Sequence, residues 1–167
     1  MGADVACLLR QRMLTPPPFF LGGTIGRWAE AGWKVVVVRV TDDRWDSVGL
    51  DEATTIDRNQ REFREATAAL GVADVIDLGY QTDVLGDVSE VELRAHMIRL
   101  VRTHRPYALV TFDPYAMYGE DNQDHAMVAA AVDEAQPEPW AIVGESLGHL
   151  PVHVEMAEDL SPDHKDQ

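Results

Sequence analysis

The fold is decided by residues 35–41, whose sequence VVVVRVT is a nearly unbroken run of β-branched side chains. A run without polar alternation is typical of a strand that is buried on both faces of a parallel sheet. Just before it, residues 24–31 begin with Thr24, which can cap a helix, and are followed by Gly32, which can end one. The pattern predicts a short helix followed by a central strand.

The same alternation of helix and strand continues along the chain. Residues 51–70 carry apolar side chains at helical spacing, and a capping box of Ser89 and Glu92 predicts a helix that ends at about His104. Further strands are predicted at 5–9, 73–78 and 107–112, a last helix at 124–135, and edge strands at 140–143 and 152–154. This order predicts a Rossmann-like α/β fold: a mainly parallel sheet with helices on both faces, in three layers, joined by right-handed crossovers.

Length and composition indicate one domain. The chain has 167 residues, 46% of them hydrophobic, and shows no internal repeat. A chain of this size can bury a sufficient core without disulfides. We expect a single α/β domain over residues 1–154, followed by an acidic, disordered tail over 155–167.

Net charge and cysteine content limit the binding partners and the compartment that we expect for this protein. Fourteen Lys and Arg against 29 Asp and Glu give a net charge of −15, which repels nucleic acid phosphates and anionic lipid surfaces. No apolar stretch approaches the roughly 20 residues of a spanning helix, and the first residues lack the basic segment of a secretory signal. The single Cys7 cannot form an internal disulfide. We therefore expect a cytoplasmic protein that binds neither nucleic acid nor membrane.

Ligands bind beyond the carboxyl ends of the strands in an open parallel sheet, and two early segments are predicted to lie there. Gly22-Gly23-Thr24 precedes the predicted helix, so its backbone N–H groups can meet an anion or a polar substrate, although a plain tight turn is the alternative. Asp42, with Asp43 beside it, follows the valine run. Acids also commonly cap such loops, so ligand binding and capping both remain open for this pair.

A third segment at this edge is the most informative. Asn122, Asp124 and His125 stand at the start of the predicted last helix, after the strand at 107–112. An imidazole in this position can face a metal ion while the neighbouring carboxylate orients another group. The alternative is an ordinary N-cap Asp followed by an exposed His.

Taken in order, these motifs resemble the LmbE-like (PIG-L) family of zinc-dependent N-deacetylases over residues 19–135. The matching pieces are Gly22-Gly23-Thr24-Ile25, residues 36–42, residues 66–72, Arg105-Pro106, residues 110–112 and Asp124-His125. The resemblance implies a hydrolase that removes an N-acetyl group from a small amino sugar or a glycoconjugate, with zinc as its cofactor. A zinc ion with three protein ligands keeps a position for water, and it lowers the pKa of that water.

The resemblance also implies roles for single residues at the later motif. His125 matches the family's metal ligand, and Asp124 matches the acid beside it, which makes Asp124 the catalytic candidate. Asn122 stands where the family often has a second His, and we expect it to bind substrate.

Substrate binding is further expected from Gly22, Gly23, Thr24, Asp42 and Arg58. Arg58 and Arg61 bracket the position of a substrate-binding Arg in the family, and Arg58 is the stronger candidate because it is nearer the helix start. A salt bridge at the surface is the alternative for both arginines.

The family's early motif, Ala-His-Pro-Asp-Asp, is absent. Counting back from Gly22, its His falls at Met13, its general base at Thr15 and its second metal ligand at Pro16. Met is a weak ligand for zinc, Thr has no carboxylate, and Pro has no donor atom. His125 is therefore the single matched ligand.

The remaining histidines do not replace the early motif. His149 and His153 have no clear metal-ligand spacing, and His96 and His104 lie on a predicted helix, where we expect them to face solvent. A ligand shell must also meet limits of distance and geometry.

Two explanations of the early segment stay open. The first is a shift of reading frame, by gene decay or sequencing error: codons for Arg12-Met13-Leu14-Thr15 can overlap His-Ala-Asp one frame away, although Pro16 is not restored by the same shift. The second is a non-catalytic family member that keeps the fold as a ligand-binding or interaction module. A third reading, a nucleotide-binding Rossmann protein of another class, lacks the glycine fingerprint.

Overall fold

The computed structural model describes residues 4–9, 18–112, 122–135, 140–142 and 152–157, within which strands and helices alternate. The strands are β1 (Asp4–Leu9), β2 (Lys34–Thr41), β3 (Asp74–Tyr80), β4 (Ala108–Phe112), β5 (Trp140–Ile142) and β6 (Val152–Ala157). The helices are α1 (Pro18–Glu30), α2 (Glu52–Ala69), α3 (Glu90–His104) and α4 (Gln123–Asp133), and a 3₁₀ turn, Leu85–Asp87, precedes α3.

The strands form one sheet in the order β3-β2-β1-β4-β6-β5. Strands β1 to β4 pair in parallel, while β6 runs antiparallel to both β4 and β5. The centre of the sheet is β1, where Cys7 lies opposite Val37 of β2 and Val110 of β4. The predicted mainly parallel sheet is confirmed, with one difference: β5 is an edge strand, but β6 is enclosed between β4 and β5.

Strand β2 supplies apolar side chains to both faces of the sheet. Val35 and Val37 belong to a core with Ile25 of α1 and Phe63 of α2. Val38 and Val40 belong to a second core, which α3 and α4 complete with Leu93, Met97, Val101, Val128 and Val132. Because helices cover both faces, the predicted three-layer α/β fold is confirmed.

Helix α1 begins six residues earlier than expected, at Pro18. Gly22-Gly23-Thr24 therefore lies inside the helix, and the prediction that these residues form a turn ahead of it was wrong. Proline is favourable in the first helical turn because its missing N–H has no partner there in any case. Gly22 and Gly23 within the helix cost only about 1 kcal/mol each, which a helix packed against the sheet tolerates.

The ends of α2 and α3 follow the sequence closely, but the predicted capping box is wrong. Ser89 is the N-cap of α3 without a side-chain cap hydrogen bond. Its backbone carbonyl instead accepts from the N–H groups of Glu92 and Leu93 at 2.9 and 3.1 Å. Helix α2 ends as predicted, with Gly71 at a positive φ of 76°, which glycine adopts without strain.

The last strand is longer than predicted. Strand β6 runs to Ala157, three residues beyond the expected boundary, and its pairing with β4 places Glu155 opposite Leu109. The remainder of the predicted tail, 158–167, lies outside the described residues. Within the described ranges, each helix is too short or too polar to cross a bilayer.

Candidate active site

Asp42 lies directly beyond the carboxyl end of β2, and its carboxylate is held by an arginine. Arg44 donates from Nη2 to Oδ2 of Asp42 at 2.6 Å and from Nε to both carboxylate oxygens at 3.1 and 3.2 Å. Burial alone would raise the pKa of Asp42, but the hydrogen bonds from Arg44 and from the amide of Thr82 outweigh it and hold the pKa below its ordinary value. Asp42 is therefore a buried, ionised acid.

Asp43 adopts a left-handed backbone conformation, with φ 54°, which is uncommon for a residue other than glycine. Three contacts hold it there. Its N–H donates to Oγ1 of Thr82 at 2.7 Å, its carbonyl accepts from Nδ2 of Asn59 at 2.9 Å, and its carboxylate lies 3.3 Å from Nε of Arg39. The turn after β2 is thus held by side chains of β2, of α2 and of the segment that follows β3.

Arg39 is the one charged residue of the valine run, and it is 3% exposed. It donates to the carbonyls of Thr41 and Asp42 at 3.0 and 2.9 Å, and its Nη1 lies 3.7 Å from Oδ2 of Asp77. Its guanidinium also lies over the ring of Phe63, 5.8 Å from the centroid. A buried cation requires such partners because desolvation is costly. The Arg39 side chain therefore ties the turn after β2 to the sheet.

The start of α4 carries the second acid of this edge. Asn122 is the N-cap, and its Oδ1 accepts from the N–H of Asp124 at 3.1 Å. Asp124 is 1% exposed; its Oδ2 accepts from the N–H of Asp83 at 2.7 Å and its Oδ1 from the N–H of Leu85 at 3.0 Å. His125 is 8% exposed. The alternative of a capping Asp followed by an exposed His is therefore wrong, because Asn122 is the cap and both following residues are buried.

One short stretch of chain joins the two acids. Thr82 donates to Asp42 from its N–H and from its hydroxyl, both at 3.3 Å, and the next residues, Asp83 and Leu85, donate to Asp124. We refer to residues 82–85 as the bridging segment. Of the predicted site residues, the structure thus brings together Asp42, Asn122, Asp124 and His125.

The structure does not connect the other predicted substrate-binding residues to this cluster. Gly22, Gly23 and Thr24 lie within α1, so they do not supply the free helix N-terminus from which their role was inferred. Arg58 has a side chain that is 53% exposed, and its Nε donates to Glu62 at 2.7 Å. Arg61 pairs with Asp57 in the same way, at 3.6 Å. Both arginines form the surface salt bridges that were the alternative reading.

The residues of α2 that contact this region are instead Asn59 and Gln60, which lie between the two arginines. Asn59 contacts the turn after β2, as described, and Nε2 of Gln60 donates to Oδ2 of Asp77 at 3.1 Å. Neither residue was identified from the sequence, nor were Arg39 and Thr82. Arg39 could have been identified from the sequence, because a lone charge within a run of buried valines implies acidic partners.

The other histidines are placed as follows. His96 and His104 are half-buried rather than solvent-facing, and the ring of His96 lies beside that of Tyr80, with 5.9 Å between the centroids. The hydroxyl of Tyr80 donates to Glu92 at 3.0 Å; burial first, and this carboxylate second, raise the pKa of Tyr80 to about 12. Residues 13–16 and His149 lie outside the described residues, as does the side chain of His153.

Curated relatives share one activity. The chain is 28% identical over 155 residues to a 1D-myo-inositol 2-acetamido-2-deoxy-alpha-D-glucopyranoside deacetylase from Mycobacteroides abscessus, a match that covers 75% of this chain and 56% of the relative. A deacetylase of the same name from Rhodococcus erythropolis is 28% identical over 151 residues, with 74% and 51% covered. The chain therefore spans about half the length of the curated relatives it matches.

Solved structures with the same fold have different activities. An N,N'-diacetylchitobiose deacetylase from Pyrococcus horikoshii matches with a TM-score of 0.68 at 24% identity, covering 80% of this chain and 49% of that protein. A 4-carboxy-2-hydroxymuconate hydratase from Pseudomonas putida matches with a TM-score of 0.61 at 18% identity, covering 81% and 55%. These likenesses establish the fold, and the fold alone does not select a reaction.

The sequence itself assigns the family. The family model described as PIG-L, GlcNAc-PI de-N-acetylase, matches residues 18–136. This range contains α1 to α4, the turn after β2 and the Asp124-His125 pair. The chain belongs to the PIG-L family of de-N-acetylases.

Proposed function

We propose that this protein is a de-N-acetylase that hydrolyses the N-acetyl group of an amino sugar or a glycoconjugate, at the carboxyl edge of the sheet. The observation that carries the proposal is the buried Asp124-His125 pair at the first turn of α4, linked through the bridging segment to Asp42. Family membership and the names of the curated relatives support this reaction and an N-acetylglucosamine-type substrate. A cytoplasmic location is part of the proposal, supported by the single cysteine.

In the part of the chain that the structure describes, and at the positions of the early motif, the side chains do not fit the zinc ion that the family implies. Both oxygens of Asp124 accept backbone N–H groups, and both oxygens of Asp42 accept from Arg44. Among the described residues, no group of three or more His, Cys, Asp or Glu side chains is placed to hold a metal. Met13 and Pro16, at the positions of the family's early ligands, lack the donors that zinc prefers. We therefore derive no catalytic step through a metal for the sequence as it stands.

What the chain's own residues offer is polar recognition. The backbone of His125 is fixed because its N–H donates to the carbonyl of Asn122 at 3.0 Å, and an imidazole can both donate and accept a hydrogen bond. The Asp42 and Arg44 pair supplies a charged rim for sugar hydroxyls, with Arg44 also 3.3 Å from Glu52. These groups bind and orient a sugar without requiring an acid at position 15.

A second candidate function is a non-catalytic module that binds the same class of sugar. The observation that favours it is the absence of a carboxylate at Thr15, the position of the family's general base. General acid–base catalysis contributes about 10²–10⁴-fold to rate, so its loss alone would leave binding with little turnover.

Three measurements decide between the two functions. Metal content is determined after purification, acetate release from N-acetylglucosamine and its disaccharide is followed with added zinc, and sugar binding is followed by calorimetry. Acetate release with stoichiometric zinc supports the deacetylase, whereas binding without metal or release supports the module. A protein that neither binds these sugars nor releases acetate contradicts both proposals.

The control variants and the gene sequence complete the test. His125→Gln should abolish sugar binding or turnover, whereas His104→Gln, on α3, should leave both unchanged. Resequencing tests the reading-frame explanation, because a well-supported frame through residues 10–18 without an acid-rich alternative ends it.

A further inference from the structure

The bridging segment, residues 82–85, contacts the two acids of the site through different groups. On the side of Asp42, the hydrogen bonds described are made by Thr82. Its hydroxyl accepts from the N–H of Asp43 at 2.7 Å and donates to Oδ1 of Asp42 at 3.3 Å, and its N–H donates to the same oxygen at 3.3 Å. Thr82 is 1% exposed, so water does not replace these contacts easily.

On the side of α4, the contacts are made by the backbone that follows Thr82. The N–H groups of Asp83 and Leu85 donate to the two carboxylate oxygens of Asp124. Asp83 has a positive φ of 65°, which turns the chain sharply between these two donors. The side chain of Leu85 is fully buried in the core formed with α3 and α4.

Gly86, the residue directly after the bridging segment, packs closely against the start of α4. A Cβ atom at Gly86 would lie 2.5 Å from Nε2 of Gln123, at the first turn of α4. The contacts of Thr82 with Asp42 and of the following amides with Asp124 span 39 to 41 residues in sequence. The two acids, which belong to different elements, are therefore held relative to each other by one four-residue stretch.

We propose that Thr82 is a positioning residue of this site: its hydroxyl fixes the bridging segment against Asp42 and Asp43, and the segment in turn orients Asp124 and His125. The inference rests on the proposed location of the site but not on turnover. A valine at position 82 keeps the shape of the side chain but removes the hydroxyl. The N–H of Asp43 then loses an acceptor and Asp42 loses a donor, so the segment and the start of α4 gain freedom.

The test compares three variants by NMR on the full chain without ligand. In Thr82→Val we expect the amide hydrogens of Asp83 and Leu85 to exchange at least tenfold faster and the ring signals of His125 to shift. Thr82→Ser keeps the hydroxyl and should restore both readouts. Thr67→Val is the matched control, because Thr67 is also buried and donates its hydroxyl to the carbonyl of Phe63, within α2.

The proposal is overturned if Thr82→Val changes neither the exchange of Asp83 and Leu85 nor the His125 ring signals beyond the changes seen in Thr67→Val. It is also overturned if Thr82→Ser fails to restore the wild-type signals. These outcomes do not depend on sugar binding. A protein that shows the expected coupling but does not bind N-acetylglucosamine contradicts the proposed function alone.

A reciprocal variant covers the case in which Thr82→Val does not fold. Asp124→Asn keeps one acceptor for the bridging segment but loses the other. If the segment couples the two acids, the amide of Asp43, which donates to Thr82, should exchange several-fold faster in this variant. Unchanged exchange at Asp43, together with faster exchange at Leu85, would show that the two contacts act independently and would refute the coupling.

Discussion

Asp42 and Asp124 are two buried acids at the same edge of the sheet, but different groups hold them. Asp42 is bound by the guanidinium of Arg44, whose side chain is 21% exposed. Asp124 is bound by backbone N–H groups of the bridging segment. An ion pair near solvent responds to pH and salt, whereas backbone hydrogen bonds fix geometry. The comparison indicates that Asp42 is held by an opposite charge, whereas Asp124 is held by the path of the backbone around it.

We expect the largest loss of stability when the carboxylate of Asp124 is removed. Asp124→Ala removes the acceptor of two N–H groups, one of them fully buried, and should lower the free energy of unfolding by roughly 2–4 kcal/mol. Urea unfolding measures the change. Glu134→Ala, which breaks an exposed pair with Arg94 at the end of the same helix, should cost less than about 0.5 kcal/mol. Equal losses in the two variants would show that Asp124 has no special structural role.

Asp42→Asn should have a smaller effect that depends on pH. Because the pKa of Asp42 in the folded protein lies below the ordinary value of 3.8, its ionised form stabilises the fold above that value, and this contribution is lost as the pH falls through the lowered pKa. We expect the variant to be about 1–2 kcal/mol less stable at pH 7, and the difference to be smaller at pH 3, below the ordinary pKa. Urea unfolding at both pH values checks this. A difference that persists undiminished at low pH would contradict the charge-based account.

Arg44→Ala should change the titration of Asp42 more than the stability. The pair is partly exposed and Arg44 is accessible to solvent, so its removal should cost little stability. Without Arg44, the burial of Asp42 is no longer outweighed, and the pKa of Asp42 should rise. Carboxyl-carbon NMR follows this titration directly. A pKa that stays unchanged in the variant would mean that the contacts with Thr82 alone keep Asp42 ionised.

The smallest expected effect concerns the exposed arginines of α2. Arg58→Ala and Arg61→Ala each remove a surface pair and should change stability by less than about 0.5 kcal/mol. The pair of variants also tests the predicted substrate role of Arg58, which remains open. If Arg58 binds sugar, Arg58→Ala alone should weaken the affinity for N-acetylglucosamine. Equal affinities in both variants would confine sugar binding to the cluster around Asp42 and Asp124.

The sequence predicted the fold well because its signals are local. The valine run, the helical stripe of α2 and the stop at Gly71 each act within a few residues. The start of α1 was missed because a pair of glycines resembles a turn, although each glycine costs a packed helix only about 1 kcal/mol. Ser89 is the cap of α3 as predicted, but its hydroxyl makes no capping hydrogen bond, which the sequence pattern alone does not reveal.

The site was predicted in part for the same reason. Asp42 and Asp124 follow recognisable elements, and the structure joins them. Thr82 and Asn59 contact residues that are 16 to 40 positions away, so neither leaves a pattern in its own neighbourhood. Arg58 was expected to bind substrate because it is near the helix start, yet Asn59 contacts the turn after β2 and Arg58 pairs with Glu62.

The buried Arg39 also constrains how this protein can change over evolutionary time. Its guanidinium serves Asp43 and Asp77 together, at 3.3 and 3.7 Å. Replacing Arg39 removes the buried cation from both carboxylates, and breaking a buried ion pair typically costs about 3–5 kcal/mol. We therefore expect relatives that share this turn to keep all three residues or to replace them together, so that positions 39, 43 and 77 covary.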